Sequence, residues 1–147
     1  MGYYMRFVSA DKQPVTTTLL RDAVLAAGPG YDVQIDDVAA TIFHNGARIA
    51  HIEINVSGDD LFDEERDELA EFVTDTVGDP TAKATVLETL GAAQTIVAAQ
   101  VLYGTGDVET TLSRLDPLWQ WLFRNRKGLL QADGEGYYDA RGLILRV

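Results

Sequence analysis

The pair Asn45–Gly46 restricts the fold more than any other feature of this sequence. Strand-like runs flank it on both sides, over residues 39–44 and 47–56. An Asn-Gly pair between such runs is the strongest short-range signal for a β-hairpin. The chain is therefore expected to contain antiparallel strands. A two-residue turn sets their register, with the pairs His44–Ala47, Phe43–Arg48 and Ile42–Ile49.

This register divides the predicted hairpin into two faces. The face expected to meet the core is almost entirely apolar and comprises Phe43, Ala50, Ile52, Ile54 and Val56. The opposite face is mixed and comprises Ile42, His44, Ala47, Ile49, His51, Glu53 and Asn55. We expect the mixed face to be partly hydrated or covered by another element, because alternation places its polar side chains away from the core.

Hydrophobic periodicity predicts the remaining elements. Strands are expected over residues 3–9, 31–36, 128–131 and 137–147, and helices over 19–27, 59–77, 81–103 and 108–124. Strands and helices are partly segregated along the chain, which is typical of an α+β fold. We predict one domain over 1–147, with a mostly antiparallel sheet of about five to six strands and about four helices packed mainly on one face.

Nearly all of the net charge lies in one predicted helix. Residues 59–80 contain ten acidic residues and one basic residue, Arg66, and so carry −9 of the formal net charge of −11. Glu64, Glu68, Glu71 and Asp75 recur at i, i+4, i+7 and i+11 and form an acidic stripe along one side of this acidic helix. The apolar side expected to be buried comprises Leu61, Phe62, Leu69, Phe72, Val73 and Val77.

Three interpretations of the acidic stripe are open at this point. The simplest is a solvated face that keeps the protein soluble. The functional alternative is a docking surface for a protein partner with a basic surface, because opposite charges speed association. Loose binding of divalent cations is the third, but no calcium-binding loop supports it, since the acids are spaced along a rigid helix.

The composition argues against several other classes of function. A net charge of −11 and a pI of about 4.4 argue against nucleic-acid binding, which needs a basic stripe. The longest apolar stretch, residues 84–103, is interrupted by Glu88, Gln94 and Gln100, so no membrane span is expected. The chain has no cysteine, and its two histidines are placed too far apart to share an ion, so we expect no metal and no cofactor. Residues 1–6 lack the pattern of a signal peptide, which makes the cytoplasm the default location.

The strongest candidate for catalysis is the pair His51 and Glu53. They are neighbours on the mixed face of the hairpin, about 7 Å apart along the strand. Such a pair can supply an acid and a base in a small hydrolase-like enzyme. No serine of the chain lies in a nucleophile elbow, so no nucleophile is assigned.

Aromatic residues toward the C-terminus provide two further candidate contact sites. Trp121 lies opposite the apolar side of its predicted helix, so we expect the C-terminal strands, or a second subunit of a homodimer, to cover it. Residues 133–139 predict a glycine-rich turn with an exposed aromatic edge formed by Tyr137 and Tyr138. The alternative is a binding loop, since acids and tyrosines on a turn can serve recognition.

These patterns favour a non-catalytic protein-binding module, of an inhibitor, immunity or adaptor type, that uses the acidic helix. The alternatives are the hydrolase-like enzyme and a structural subunit of a homo-oligomer. No motif in the sequence identifies a reaction, so the binding hypothesis depends on the distribution of charge.

Overall fold

An antiparallel sheet forms the middle layer of the molecule. The computed structural model describes residues 3–37, 39–104 and 106–147. Within them the strands are β1 (Tyr3–Ser9), β2 (Tyr31–Asp36), β3 (Ala39–His44), β4 (Ala47–Val56), β5 (Thr95–Val101), β6 (Gly128–Ala132), β7 (Gly136–Asp139) and β8 (Gly142–Arg146). They pair in the order β2-β3-β4-β5-β1-β6-β7-β8, and every neighbouring pair is antiparallel. The expected antiparallel sheet is confirmed, but it has eight strands instead of five to six.

Two helices cover each face of the sheet. The four helices are α1 (Thr17–Leu25), α2 (Asp60–Asp75), α3 (Pro80–Gly91) and α4 (Val108–Asn125). Helices α1 and α4 pack over one core cluster, and α2 and α3 pack over a second. The number of helices agrees with the prediction, but their placement mainly on one face was wrong. The central strands are apolar on both sides, since consecutive residues Phe7 and Val8 are fully buried in different clusters.

The long helix predicted over residues 81–103 is a helix followed by a strand. Helix α3 ends at Gly91, and the chain then enters β5 at Thr95. Strand β5 lies between β4 and β1 and is covered on both faces, so residues 96–99 form a short continuous apolar run. Periodicity alone does not distinguish such a run from a buried helix. The β-branched residues Thr95, Ile96 and Val97 are the local feature that favours the strand.

The predicted hairpin forms, with one change of register. His44 pairs with Ala47 and Phe43 with Arg48, as expected, but Ile42 pairs with Ala50 because a β-bulge interrupts the ladder. The bulge turns Ile42 and Ile49 toward the same core as Ala50, so both are buried and their expected place on the mixed face was wrong. His51, Glu53 and Asn55 remain on the opposite face, toward α2.

Helix α2 buries a narrower apolar side than predicted. Phe62, Leu69 and Val73 are buried, whereas Leu61 and Phe72 are exposed by 65 % and 60 %. Val77 is fully exposed because α2 ends at Asp75, so this residue belongs to the connection to α3. The apolar residues left open on α2 border a cleft. Within the described residues, no helix combines the length and the apolar character that a membrane span requires.

Candidate functional site

A cleft of about 680 Å³ lies between α2 and the sheet. One wall is the side of α2 on which Leu61, Glu65, Glu68 and Phe72 recur at i, i+4, i+7 and i+11, flanked by Glu64 and Leu69. The floor and the opposite wall come from β1, β4, β6, β7 and the C-terminus, through Arg6, Glu53, Asn55, Gln131, Asp133, Gly134, Tyr137 and Val147. We call this set of residues the acidic cleft.

The cleft exists because the sheet face beneath α2 changes from apolar to polar. Val8 of β1 and Leu129 of β6 are paired neighbours, and both are buried in the core under α2 and α3. Arg6 lies two residues before Val8 in β1, and Gln131 lies two residues after Leu129 in β6. Arg6 and Gln131 also pair with each other. The face beneath this part of α2 therefore carries hydrogen-bonding side chains where the neighbouring part carries an apolar core.

Arg6 joins the floor of the cleft to its walls. Its Nε donates to Glu65 of α2 at 2.7 Å, and its Nη1 donates to Gln131 at 2.8 Å and to Asp133 at 2.9 Å. Asn55 of β4 also donates to Glu65, at 3.4 Å. Glu65 and Asp133 therefore share one guanidinium, and Glu65 holds α2 to the sheet.

The remaining carboxylates leave the cleft strongly acidic. Its lining contains five carboxylates and one guanidinium, which gives a net charge of −4. Arg6 pairs with two of the five, and Glu53 lies 3.6 Å from His51. Glu64 and Glu68 form no ion pair within the part of the chain that the structure describes. These two exposed residues of α2 therefore contribute half of the net charge of the cleft.

Exposed apolar side chains stand beside this charge. Leu61 and Phe72 line the cleft on α2, one toward each end of the helix, with Glu64 and Glu68 between them along the chain. An exposed aromatic ring next to carboxylates can contact both the apolar stem and the charged head of a basic side chain. Apolar surface rimmed by polar residues is characteristic of interaction sites.

Tyr137 lies on the floor of the cleft and is 2 % exposed. Its hydroxyl has no hydrogen-bond partner among the described residues. Burial raises its pKa, and the charge of Arg6 acts in the opposite direction. The hydroxyl therefore stays protonated at neutral pH, and it is a buried polar group without a partner among the described residues.

The expected exposed aromatic edge was wrong. Tyr137 and Tyr138 are consecutive residues of β7, so their side chains point to opposite faces of the sheet. Tyr137 is buried under α2 and α3, and Tyr138 is half-buried on the side of α1 and α4. The hydroxyl of Tyr138 donates to Glu135 in the turn between β6 and β7, so this tyrosine has a partner within the protein.

The acidic stripe is divided by the structure. Glu64 and Glu68 line the cleft, whereas Glu71 and Asp75 are exposed on α2 outside it. Sequence reasoning therefore identified Glu64 and Glu68, and it also named Tyr137, Glu53 and the segment 133–139, but it missed Arg6 and Gln131. The available signal was Arg6 itself, a single charge inside an otherwise apolar strand.

His51 and Trp121 lie outside the acidic cleft. The Nε2 of His51 is 3.6 Å from the Glu53 carboxylate, with side chains that are 39 % and 55 % exposed. Trp121 lines a groove between α1 and α4, and the guanidinium of Arg126 lies 5.3 Å from its ring centre. The expectation that C-terminal strands cover Trp121 was wrong, because α1 occupies that position.

The cleft presents carboxylates, amides, one guanidinium and apolar side chains. The described residues that line it include no serine, threonine, cysteine, lysine or histidine. Across residues 3–37, 39–104 and 106–147, no three histidine, aspartate or glutamate side chains are grouped so as to hold a metal ion. Comparison of the chain with protein families, with curated proteins and with solved structures finds no match.

Proposed function

We propose that this chain is a non-catalytic binding protein that holds a basic segment of a partner protein in the acidic cleft. The observation that carries the proposal is the position of Glu64 and Glu68. Both lack a cationic partner among the described residues, and both lie in a cleft bordered by exposed apolar side chains. Masking a basic surface, as an inhibitor, immunity protein or adaptor does, is the corresponding role.

The charge distribution supports a cationic partner. A cleft with a net charge of −4, in a molecule with a net charge of −11, attracts positive groups and repels phosphate and carboxylate ligands. Such a field raises the association rate with a basic protein and makes binding depend on salt.

The apolar border supports a protein partner over an inorganic cation. Leu61 and Phe72 are 65 % and 60 % exposed, and burying them would remove apolar surface from water. A hydrated metal ion cannot use that surface, whereas the long apolar stems of lysine and arginine can. We therefore propose an occupant in which basic and apolar side chains are close together along the chain.

Two matched variants test the proposal. Glu64→Gln with Glu68→Gln removes two charges inside the cleft, and Glu71→Gln with Asp75→Asn removes two charges from the same helix outside it. We expect a partner captured from the host lysate at low salt to be lost at high salt and lost with the first variant, but retained with the second. Equal capture by the two variants would show that the charge acts as a solvated face and would refute the proposal.

The other hypotheses from the sequence have less support. A hydrolase using His51 and Glu53 would rely on two exposed side chains, of which only Glu53 lines the cleft, so neither is shielded from water. The homodimer and the cytoplasmic location stay predictions.

A further inference from the structure

The C-terminal end of α4 carries side chains of the kind that the acidic cleft is proposed to bind. Three of the twelve basic residues of the chain fall within residues 124–127, and no other stretch of four residues holds more than one. Arg124 and Lys127 are exposed, and neither forms an ion pair among the described residues. Trp121 lies about one helical turn before Arg124, and both line the groove between α1 and α4. We call residues 121–127 the basic end of α4.

Two carboxylates near the basic end of α4 have other partners. Asp22 lines the same groove and lies 3.4 Å from Arg21, its neighbour on α1. Asp11 accepts a hydrogen bond from the main-chain N–H of Lys127, which leaves the ammonium group of that lysine unused. The two exposed cations are therefore available to carboxylates of another molecule.

The α2 wall of the acidic cleft presents a matching order of side chains. Glu64, Glu68 and Phe72 line the cleft at intervals of about one helical turn. On the basic end of α4 the aromatic residue comes first, and the two exposed cations follow at similar intervals. Antiparallel placement of the two segments therefore sets Phe72 beside Trp121 and each glutamate beside a cation. This placement cannot arise within one molecule, because α2 and α4 lie on opposite faces of the sheet.

From this complementarity we infer that the basic end of α4 of one copy of the chain docks in the acidic cleft of a second copy. The inference rests on the proposed function and names an occupant of the cleft. The contact joins two different surfaces, so it can repeat from copy to copy and does not stop at a dimer. A foreign basic partner that binds the cleft then competes with this self-association.

The net charge of the protein opposes self-association, and this opposition sharpens the test. Two copies carry −11 each and repel one another at long range. At an ionic strength of about 0.1 M the screening length is about 10 Å, so this repulsion is weakened while charges in direct contact still attract. Replacing Glu64 and Glu68 by glutamine removes two of the eleven net negative charges and so reduces the repulsion. The inference nevertheless predicts weaker association, because the cleft loses the carboxylates that bind the cations.

Sedimentation equilibrium at an ionic strength of about 0.1 M measures the association. We expect the wild type to form species larger than a dimer as its concentration rises. The cleft variant, Glu64→Gln/Glu68→Gln, and the basic-end variant, Arg124→Gln/Lys127→Gln, should each associate roughly tenfold more weakly, the effect of losing two ion pairs at a surface.

Two further variants are controls that change the net charge by the same amount. Glu71→Gln/Asp75→Asn removes two exposed acids of α2 outside the cleft, and Arg48→Gln/Arg141→Gln removes two exposed bases that line neither the cleft nor the groove. Both controls should associate within about twofold of the wild type.

A mixture of the cleft variant and the basic-end variant tests whether the two surfaces bind each other. The cleft variant has an intact basic end, and the basic-end variant has an intact cleft. An equal mixture should therefore regain the affinity of a single wild-type contact. It should stop at complexes of two copies, because the two surfaces left over are both impaired.

Three results would each refute the self-association: a wild type that stays monomeric, a cleft variant that associates as tightly as the wild type, or a mixture that associates no more tightly than its components. The proposed function is tested separately with a blocked hexapeptide of alternating leucine and lysine, added to the basic-end variant, whose cleft is free. Peptide binding that disappears when Glu64 and Glu68 are also replaced leaves the proposed function intact even if the wild type is monomeric. A monomeric wild type together with a cleft that does not bind the peptide refutes both.

Discussion

At the scale of single residues, the turn between β6 and β7 is held by an unusual carboxylate. Glu135 accepts hydrogen bonds from the hydroxyls of Tyr138 and Tyr3, and so connects β7 to the start of β1. The hydrogen bond from Tyr138, followed by that from Tyr3, lowers the pKa of Glu135. The sequence alone shows the acid and the tyrosines but not their contact, because Tyr3 is 132 residues away along the chain.

This arrangement predicts a contribution to stability that disappears in acid. Because the pKa of Glu135 is lower in the folded state, its contribution is complete above the unfolded-state pKa of about 4.3. It is lost as the pH falls from there through the folded-state pKa. We expect Glu135→Gln to lower the free energy of unfolding at pH 7 by about 1 kcal/mol, a value reduced for the partial exposure of the group.

Urea unfolding of both proteins between neutral pH and about pH 3 measures this difference. The difference in the free energy of unfolding between wild type and Glu135→Gln should become smaller below about pH 4.3. The account of Glu135 would be wrong if the gap stayed constant over the whole range. Glu109→Gln, an exposed glutamate in the first turn of α4, is the control for a general effect of losing one acid.

At the scale of elements, Arg6 fixes the position of α2 on the sheet. It binds Glu65 of α2, Gln131 of β6 and Asp133 beyond β6, and its side chain and that of Glu65 are mostly shielded from water. Removing one partner of a shielded ion pair leaves the other charge without compensation. The contact between Arg6 and Glu65 is therefore expected to matter more than ion pairs at the surface.

Arg6→Met tests this expectation, because methionine preserves the apolar stem. We expect it to lower the free energy of unfolding by about 1–3 kcal/mol, since Glu65 and Asp133 lose their shared cation. The control is Arg21→Met, which removes an exposed pair with Asp22 and should change stability by less than about 0.5 kcal/mol. Equal effects of the two substitutions in urea titrations would show that the Arg6 network does not hold α2.

Most elements could be predicted from the sequence because each buries one side. The Asn45–Gly46 hairpin, strand β2 and helices α1, α2 and α4 have the periodicity of half-buried structure. Strand β5 could not be recognised in this way, because burial on both faces removes the alternation that distinguishes a strand. This burial explains the mistaken helix over 81–103 and one of the two additional strands. The other arises because residues 137–147 contain two strands, β7 and β8.

Individual residues of the candidate site could be predicted, but not their assembly into one cleft. Glu64 and Glu68 were identified because helical spacing places them on one side of α2. The segment 133–139 was named as a turn or binding loop, but its position beside α2, like that of Gln131, depends on β6 pairing with β1, which the sequence does not reveal. The depth of Tyr137 likewise depends on where α2 and α3 cover the sheet.

At the scale of the whole molecule, the strand order and the distribution of acidic residues together determine where the acidic cleft lies. Two antiparallel meanders, β2-β3-β4 and β6-β7-β8, flank the central pair β5–β1. Helices α2 and α3 cover part of one face, and the acidic cleft lies where α2 meets polar residues of β1, β4 and β6. The segment with most of the net charge thus borders the opening in which apolar residues are also exposed.

The most direct test of the central claim is to map peptide binding by amide NMR. The wild-type protein, labelled with ¹⁵N, is titrated with a blocked hexapeptide of alternating leucine and lysine while the shift of each backbone amide is followed. The account predicts that the largest shifts fall in residues 61–72, at Arg6 and in residues 131–137. The claim would be contradicted by shifts centred on Trp121 in the groove between α1 and α4, by shifts confined to Glu71 and Asp75, or by no shifts at all.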